Sequence, residues 1–379
     1  MDNYMQYELE DYIDENSEFD AFNSAVVWGM DWTAETIANQ LEKGNIDINP
    51  KFQRRDAWSQ EEKSRLIESL MLGLPVPTII LAEMKDKKNS FIVIDGKQRL
   101  LSIKQFCSNN KEFTKLKLRK LEVLTELEGK TIEDLRKDSS YDKFLTAFEN
   151  ATIRTIVIKN WPNEQFLYSV FLRLNTGSKP LSPQELRQAL HPGAFLDFLD
   201  DATADSKAMM TLLRNSRADS RMRDIELALR YYGFLYNRNN YNGNLRAFLD
   251  ETCRIMNERW TTEELVIREQ FNELEKSIEF CFDIFGEKQA FSKWDGNEYN
   301  NRFNRALFEV FTFYFSDRNV RMDINKFEFE KGFKKLCDTD IAFVESISST
   351  TKDIGRVTKR FQAIETLIDN IFPDLTKRY

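Results

Sequence analysis

The segment Asp95–Arg99 reads DGKQR and directly follows an apolar run, Phe91–Ile94. This pattern predicts a buried strand, a tight turn at the glycine and the start of a helix. The first amides of a helix lack intrahelical partners and lie at the positive end of its dipole, so they attract anions. Lys97 and Arg99 would add positive charge, and Asp95 could hold a ribose hydroxyl or Mg²⁺. The alternative is a plain corner in which Asp95 caps the helix and Arg99 forms a surface ion pair.

A second cluster, Phe52–Trp58, reads FQRRDAW and precedes a capping box at Ser59–Glu62. Its amide and arginines, Gln53 and Arg54 among them, suit recognition of a phosphate, and its tryptophan suits a stacked base. The alternative is a loop whose aromatic ends are anchored in the core.

A third segment, Phe171–Gly177, reads FLRLNTG. We predict an extended loop in which Arg173 and Asn175 lie on one side and form a further wall of a pocket. A structural turn explains the same residues equally well.

The second half of the chain carries a run of arginines at positions 214, 217, 221, 223 and 230. Such a run could follow a nucleic-acid backbone. The alternative is a solvated face on which these arginines pair with Asp219, Asp224 and Glu226.

The helices and strands that position these clusters can be predicted from the hydrophobic periodicity. Before residue 180 the chain alternates between helices and strands. The predicted helices begin near Thr33, at the Ser59 capping box and at Lys97, and the predicted strands are Thr78–Glu83, Phe91–Ile94, Lys115–Leu124 and Ala151–Ile158.

Beyond residue 180 the pattern is helical. Capping boxes at Ser182–Glu185 and Thr261–Glu264 open two helices, and Arg302–Phe315 and Asp353–Phe372 are helical by period. We therefore predict an α+β chain with an acidic tail over residues 1–24, an α/β domain over 25–185 and an all-helical domain over 186–379.

Composition narrows the class of protein. The chain has 379 residues, of which 41% are hydrophobic and 31% charged, the balance of a globular protein of about two domains. The four cysteines are widely spaced, which indicates neither a zinc site nor a disulfide framework. No apolar run reaches the ~18 residues of a membrane span, and the acidic N-terminus resembles no targeting signal. We expect a cytoplasmic protein.

Charge and histidine content exclude further classes. The formal net charge of −8 argues against a simple nucleic-acid coat. The chain has a single histidine, His191, so histidine-based hydrolase triads and His-rich zinc sites are not indicated.

Taken together, the motifs resemble the GmrSD-type restriction endonuclease N-terminal domain family. That family has an FQR-x-x-W segment, a helix reading roughly LIESLLLGLPIP, a strand ending in DGQQR, an RLN-x-G segment and an LS-x-x-EL helix start. The matching segments here are Phe52–Trp58, Leu66–Pro77, Asp95–Arg99, Arg173–Gly177 and Leu181–Leu186. A further R-x-R-D-x-E-L-x-L-R segment at Arg221–Tyr232 is similar to helical regions of stand-alone members.

The resemblance implies a ParB/sulfiredoxin-like fold that binds a nucleoside triphosphate, with Mg²⁺, and acts as a weak NTPase or nucleotide switch in DNA restriction or phage defence. On this basis Asp95 and Arg99 would be catalytic, with Asp95 as the Mg²⁺ ligand. The nucleotide-binding residues would be Gln53, Arg54, Gly96, Lys97, Gln98, Arg173 and Asn175.

Two departures from the family pattern bear on activity. Lys97 stands where the family has its first glutamine, which keeps a donor and adds charge but leaves no amide there to position water. No histidine follows His191, so an HNH nuclease site is not expected in this chain. Two other functions remain open: a DNA-binding or nicking module, and a non-enzymatic module that recruits a separate nuclease or defence subunit.

Overall fold

The structure is a computed structural model that describes residues 25–46, 48, 55–108, 111, 113–174 and 182–373. The predicted acidic tail lies outside this range. The described residues form two compact units, whose boundary in the sequence lies between Leu190 and His191. The first unit mixes strands and helices and the second is helical, which confirms the predicted fold class.

The first unit is built on a four-stranded sheet with the strand order β1-β4-β2-β3. Strand β4 is antiparallel to β1 and parallel to β2, and β2 and β3 form an antiparallel hairpin. The strands are β1 (Val26–Thr33), β2 (Ile79–Glu83), β3 (Phe91–Asp95) and β4 (Thr152–Lys159).

Seven α-helices accompany the sheet in the described part of this unit. They are α1 (Ala34–Glu42), α2 (Gln60–Met71), α3 (Lys97–Cys107), α4 (Ile132–Lys137), α5 (Asp142–Asn150), α6 (Glu164–Leu174) and α7 (Pro183–Leu190). The predicted capping boxes of α2 and α7 are both present, with Ser59 paired to Glu62 and Ser182 paired to Glu185.

Both faces of strands β2 and β3 are buried, whereas most of β1 is exposed. Successive side chains of a strand point to opposite faces, so Leu81 and Val93 enter one hydrophobic cluster while Ile80 and Ile92 enter another. Residues of α1, α2, α3 and α5 complete the first cluster, and residues of α6 and α7 complete the second. This arrangement explains why β3 reads as a continuous apolar run.

The predicted strand Lys115–Leu124 is wrong, because side chains take up its backbone amides. The Glu68 carboxylate on α2 accepts hydrogen bonds from the amides of residues 122–124, and Ser64 accepts one from Arg119. Glu128 accepts two more, from residues 120 and 121. The alternating leucines of this segment are buried without belonging to a sheet.

The second unit consists of nine α-helices within its described residues. They are α8 (Ala194–Asp205), α9 (Lys207–Leu212), α10 (Arg223–Asn237), α11 (Leu245–Phe285), α12 (Arg305–Phe315), α13 (Arg318–Asp323), α14 (Lys326–Thr339), α15 (Ile341–Ser346) and α16 (Ile354–Ile371). Aromatic rings fill much of the core between them; Phe311, for example, contacts Phe285, Phe329 and Phe333. The abundant phenylalanines thus serve packing.

The predicted capping box at Thr261–Glu264 is wrong, because these residues lie inside α11. The Thr261 hydroxyl donates to the carbonyl of Glu258 and does not cap a new helix. Glu263 has non-helical dihedrals (φ −124°, ψ 19°), so α11 kinks at the position where the sequence suggested a start. Among the described helices, none is both long and apolar enough to cross a membrane.

Candidate functional site

The DGKQR segment forms the predicted strand, turn and helix start. Asp95 ends β3, Gly96 is the N-cap of α3, and Lys97 is its first residue. The pairing of β2 with β3 shifts register between Ile80 and Leu81, so that Ile80 lies opposite Asp95. Bulges of this kind redirect the side chains beside them and are frequent next to functional sites.

Gly96 leaves the helix N-terminus open to a ligand. Its φ of 99° is left-handed, and an added Cβ would lie 3.1 Å from Cγ1 of Ile79, so a side chain is disfavoured here on two grounds. A glycine N-cap offers no side-chain acceptor to the first helical amides. No side chain therefore caps the first amides of α3, and these amides can donate hydrogen bonds to an anion.

Asp95 and Arg99 form an ion pair across this turn. Nη2 of Arg99 lies 2.8 Å from Oδ2 of Asp95 and also donates to the carbonyl of Thr78 at 3.0 Å. The Arg99 side chain is 12% exposed, whereas that of Asp95 is 39% exposed. The ion pair of the alternative interpretation is present, but its prediction that Asp95 caps the helix is wrong, because Gly96 is the N-cap and no side chain caps α3. Arg99 is largely buried beside the uncapped helix start.

Two polar atoms at the turn are buried without a hydrogen-bond partner among the described residues. They are Nε of Arg99 and Oε1 of Gln98. Buried polar groups are nearly always paired, so each orphan indicates a partner that binds there or a site under strain. Oδ1 of Asp95 likewise accepts no hydrogen bond within the described chain. A single free carboxylate oxygen suits Mg²⁺ that is held mainly by substrate phosphates.

Lys97 is directed to another partner. Its ammonium donates to Oε1 of Glu185 at 2.6 Å, and both side chains are buried, at 7% and 6% exposed. The other oxygen of Glu185 accepts from the backbone amide of Ser182 at the start of α7. The charge of Lys97 is therefore balanced inside the unit. Sequence reasoning missed Glu185 as its partner, although the capping box had singled the residue out.

Three of the predicted nucleotide-binding residues, Gln53, Arg54 and Asn175, lie outside the described residues. The described residues of the FQRRDAW segment make contacts within the first unit. Trp58 packs against the hydrophobic core, and the Asp56 carboxylate accepts from the Lys63 ammonium. Burial lowers the pKa of Lys63 to about 8.

The predicted extended segment around Arg173 is wrong, because Arg173 is exposed in the last turn of helix α6. Buried apolar residues at helical spacing, Phe166, Leu167 and Phe171, favour a helix over a strand there. Arg173 therefore does not belong to an extended segment, and the part of that prediction that concerns Asn175 lies outside the described residues.

The arginine run of the second unit does not form a continuous basic face. Arg230 is 3% exposed and pairs with both Glu226 and Glu309. Arg223 makes a two-nitrogen contact with Asp219, whose pKa is below its ordinary value because these bonds outweigh burial. Arg214 and Arg217 remain exposed.

Comparison with known proteins identifies the first unit. Residues 35–192 match the family model described as "GmrSD restriction endonuclease, N-terminal domain", and this range contains the DGKQR turn and the capping box of α7. No curated protein and no solved structure matches the chain. Residues 35–192 are thus a GmrSD N-terminal domain.

Proposed function

We propose that this chain binds a nucleoside triphosphate at the Asp95–Arg99 turn and acts as the nucleotide-dependent component of a DNA-restriction system. The observation that carries the proposal is the uncapped N-terminus of α3 at Gly96, set beside an arginine with an unpartnered buried Nε. The restriction context comes from the family to which the domain belongs.

The chain's own residues divide the work of binding. The amides at the start of α3 receive phosphate oxygens, and the absence of a side chain at Gly96 lets the phosphates approach. Asp95 and the carbonyl of Thr78 hold the Arg99 guanidinium at the turn, which reduces the entropy lost when it contacts phosphate. On the family pattern, Gln53, Arg54, Gln98, Arg173 and Asn175 are further candidates for nucleotide contact.

Hydrolysis, if the site performs it, would rest on charge stabilisation. Phosphoryl transfer spreads negative charge over the phosphate oxygens, and a positioned arginine and helix amides stabilise that charge. Mg²⁺, when bound with the nucleotide at Asp95, supplies further neutralisation of the phosphates. Lys97 is assigned a positioning role, because its ammonium neutralises Glu185 and thereby fixes the first turn of α3.

The test is thermal unfolding with ATP, GTP, CTP and UTP, with and without Mg²⁺. A ligand at 100 times its Kd adds about 2.7 kcal/mol to stability, a shift of roughly 5–10 °C for a unit of this size. We expect one nucleotide to shift the unfolding temperature of the wild type, and Arg99→Ala to abolish the shift.

The matched control is Arg154→Ala. Arg154 also pairs with an aspartate, Asp31, at 3.0 Å in the same sheet, but on an exposed surface. Each variant is compared with itself in the absence of nucleotide, which separates loss of binding from loss of stability. No shift with any nucleotide, or equal loss in both variants, would overturn the proposal. Phosphate-release measurements on the responding nucleotide then distinguish an NTPase from a switch.

A further inference from the structure

A cavity of about 260 Å³ lies in the second unit, far along the chain from the Gly96 turn. It is bordered by the end of α9, the first turn of α10, the loop after α11 and the start of α12. The small-molecule sites of proteins occupy roughly 300–1,000 Å³, so this cavity suits one small ligand better than a polymer.

The lining of the cavity is basic in a protein that is acidic as a whole. Four basic side chains, Arg214, Arg223, Lys288 and Arg305, face two acidic ones, Glu226 and Glu287. Glu226 is already neutralised by Arg230, which contacts it through two nitrogens at 2.7 and 2.9 Å. Asp219 likewise neutralises Arg223. These two ion pairs cancel one acidic and one basic residue of the lining, so the lining keeps its excess of positive charge.

The rim holds two cations without a carboxylate partner in the described chain, Arg214 and Lys288. Nη2 of Arg214 donates to the backbone carbonyl of Lys288 at 3.2 Å, so the two residues are neighbours in the cavity lining. Glu287 is exposed on this rim and forms no ion pair with a described residue. Like charges held together in this way create a positive field at the cavity mouth.

Polar groups suited to an anion lie with these cations. The hydroxyl of Ser292 and the amide of Asn301 border the cavity, and neither side chain makes a hydrogen bond to another described residue. Arg223 and Arg305, the first residues of α10 and α12, also border the cavity. The amides at these two helix starts already have side-chain acceptors, since Asp219 accepts from Arg223 and Asn304 accepts from Leu307.

One wall of the cavity is apolar. Phe303 is half-buried and packs against Phe291 and Phe308, with ring centroids 6.0 and 5.9 Å apart. Leu213 and Leu227 also line the cavity. A basic mouth beside an aromatic wall matches a ligand that carries a phosphate on a flat, partly apolar body.

The backbone around the cavity is held in conformations that side chains rarely adopt. Arg214 lines the cavity with φ 55°, Met222 precedes Arg223 with φ 57°, and Phe291 lies between two lining residues with φ 58°. Non-glycine residues in this region cost energy and concentrate at binding sites.

We propose that this cavity is a second ligand site, which binds a small phosphate monoester of about the size of a nucleoside monophosphate. The site is independent of the triphosphate site proposed at Gly96, since all of its residues belong to the second unit. It gives the helical unit a ligand-sensing role of its own.

Calorimetric titration of the full-length protein with AMP, inorganic phosphate and adenosine tests the proposal. We expect saturable binding of AMP, weaker binding of phosphate and no binding of adenosine, because the phosphate provides the charge-assisted contacts. The variant Lys288→Glu combined with Arg214→Asn should weaken AMP binding about tenfold or more. Asparagine suits position 214 because it tolerates the left-handed backbone.

Two controls separate this site from others. Lys335→Glu reverses an exposed lysine on α14 that has no carboxylate partner in the described chain, and it should leave AMP binding unchanged. Arg154→Ala, which removes an exposed arginine of the first unit, should also leave it unchanged. The proposal is overturned if AMP binding does not saturate up to about 1 mM. It is also overturned if the rim variant and Lys335→Glu lose AMP affinity equally, or if the rim binds a DNA oligonucleotide and the protein does not bind AMP.

Discussion

The ammonium of Lys97 donates to the carboxylate of Glu185 at 2.6 Å, and both side chains are buried. Lys97 opens helix α3 and Glu185 belongs to the capping box of α7, 88 residues further along the chain. Two motifs that lie far apart in the sequence of this domain are therefore joined by one buried ion pair. The charge of Lys97 therefore has a structural partner inside the first unit.

Loss of this pair should be costly. Lys97→Met leaves the Glu185 carboxylate buried without its cation, and breaking a buried pair in this way costs about 3–5 kcal/mol. Lys97→Gln should cost less, because its amide can still donate to the carboxylate. Urea denaturation followed by circular dichroism measures both.

The control for this prediction is Arg154→Met, which breaks the exposed pair with Asp31 and should cost less than ~1 kcal/mol. Adding Glu185→Gln to Lys97→Met should restore part of the stability, since it removes the uncompensated charge. Equal effects of Lys97→Met and Arg154→Met would contradict the prediction.

The substitution Gly96→Ala should destabilise the protein more than Gly73→Ala, although the two glycines have similar backbone conformations. Gly73 also has a positive φ, 68°, but an added Cβ there meets nothing within 4 Å. Both substitutions carry the left-handed strain of about 1–2 kcal/mol. Gly96→Ala should cost a further ~1 kcal/mol because its Cβ lies 3.1 Å from Ile79. Comparable unfolding free energies for the two variants would show that the turn adjusts freely.

Glu68 should make the first unit sensitive to acid. Burial raises the pKa of its carboxyl, but the amides of Leu124, Val123 and Glu122 and the charge of Arg65 outweigh burial, so the pKa lies below its ordinary value. A folded pKa below the unfolded one gives stability that is fully present above about pH 4.3 and is lost as the pH falls through the folded pKa.

The variant Glu68→Gln isolates this contribution. At pH 7 the wild type should be more stable by about 1–3 kcal/mol, because the amides bond to a charged acceptor. That difference should shrink as denaturation is repeated from pH 5 towards pH 3. A difference that does not depend on pH would indicate that the ionisation of Glu68 plays no part.

Arg230 and Arg217 belong to one run in the sequence but should behave differently. Arg230 is buried between Glu226 and Glu309, and Arg360 contacts the second oxygen of Glu309. Arg230→Ala should therefore destabilise the protein by about 3–5 kcal/mol. Arg217→Ala, on an exposed residue, should stay within ~0.5 kcal/mol. Urea denaturation of the two variants measures their free energies of unfolding. Equal losses would contradict the prediction that only Arg230 has a structural role.

Local patterns in the sequence determined the elements at the candidate site. The apolar run of β3, the glycine of the turn and the capping boxes at Ser59 and Ser182 each act over a few residues. Their hydrogen bonds and dihedral preferences are therefore readable without the fold. The resemblance to the GmrSD N-terminal family rests on the same local spacing, and the match over residues 35–192 confirms that resemblance.

Contacts between distant residues were decided by the tertiary structure alone. The alternating leucines of 115–124 suggested a strand, but Glu68 on α2 takes up the amides that a sheet would need. The charge of Lys97 suggested a phosphate ligand, but Glu185 lies within hydrogen-bond distance of it. A side chain's partner depends on which groups folding brings near it, and periodicity carries no information about that. The cavity beside Lys288 is also a product of the tertiary structure, because four separate segments of the chain form its walls.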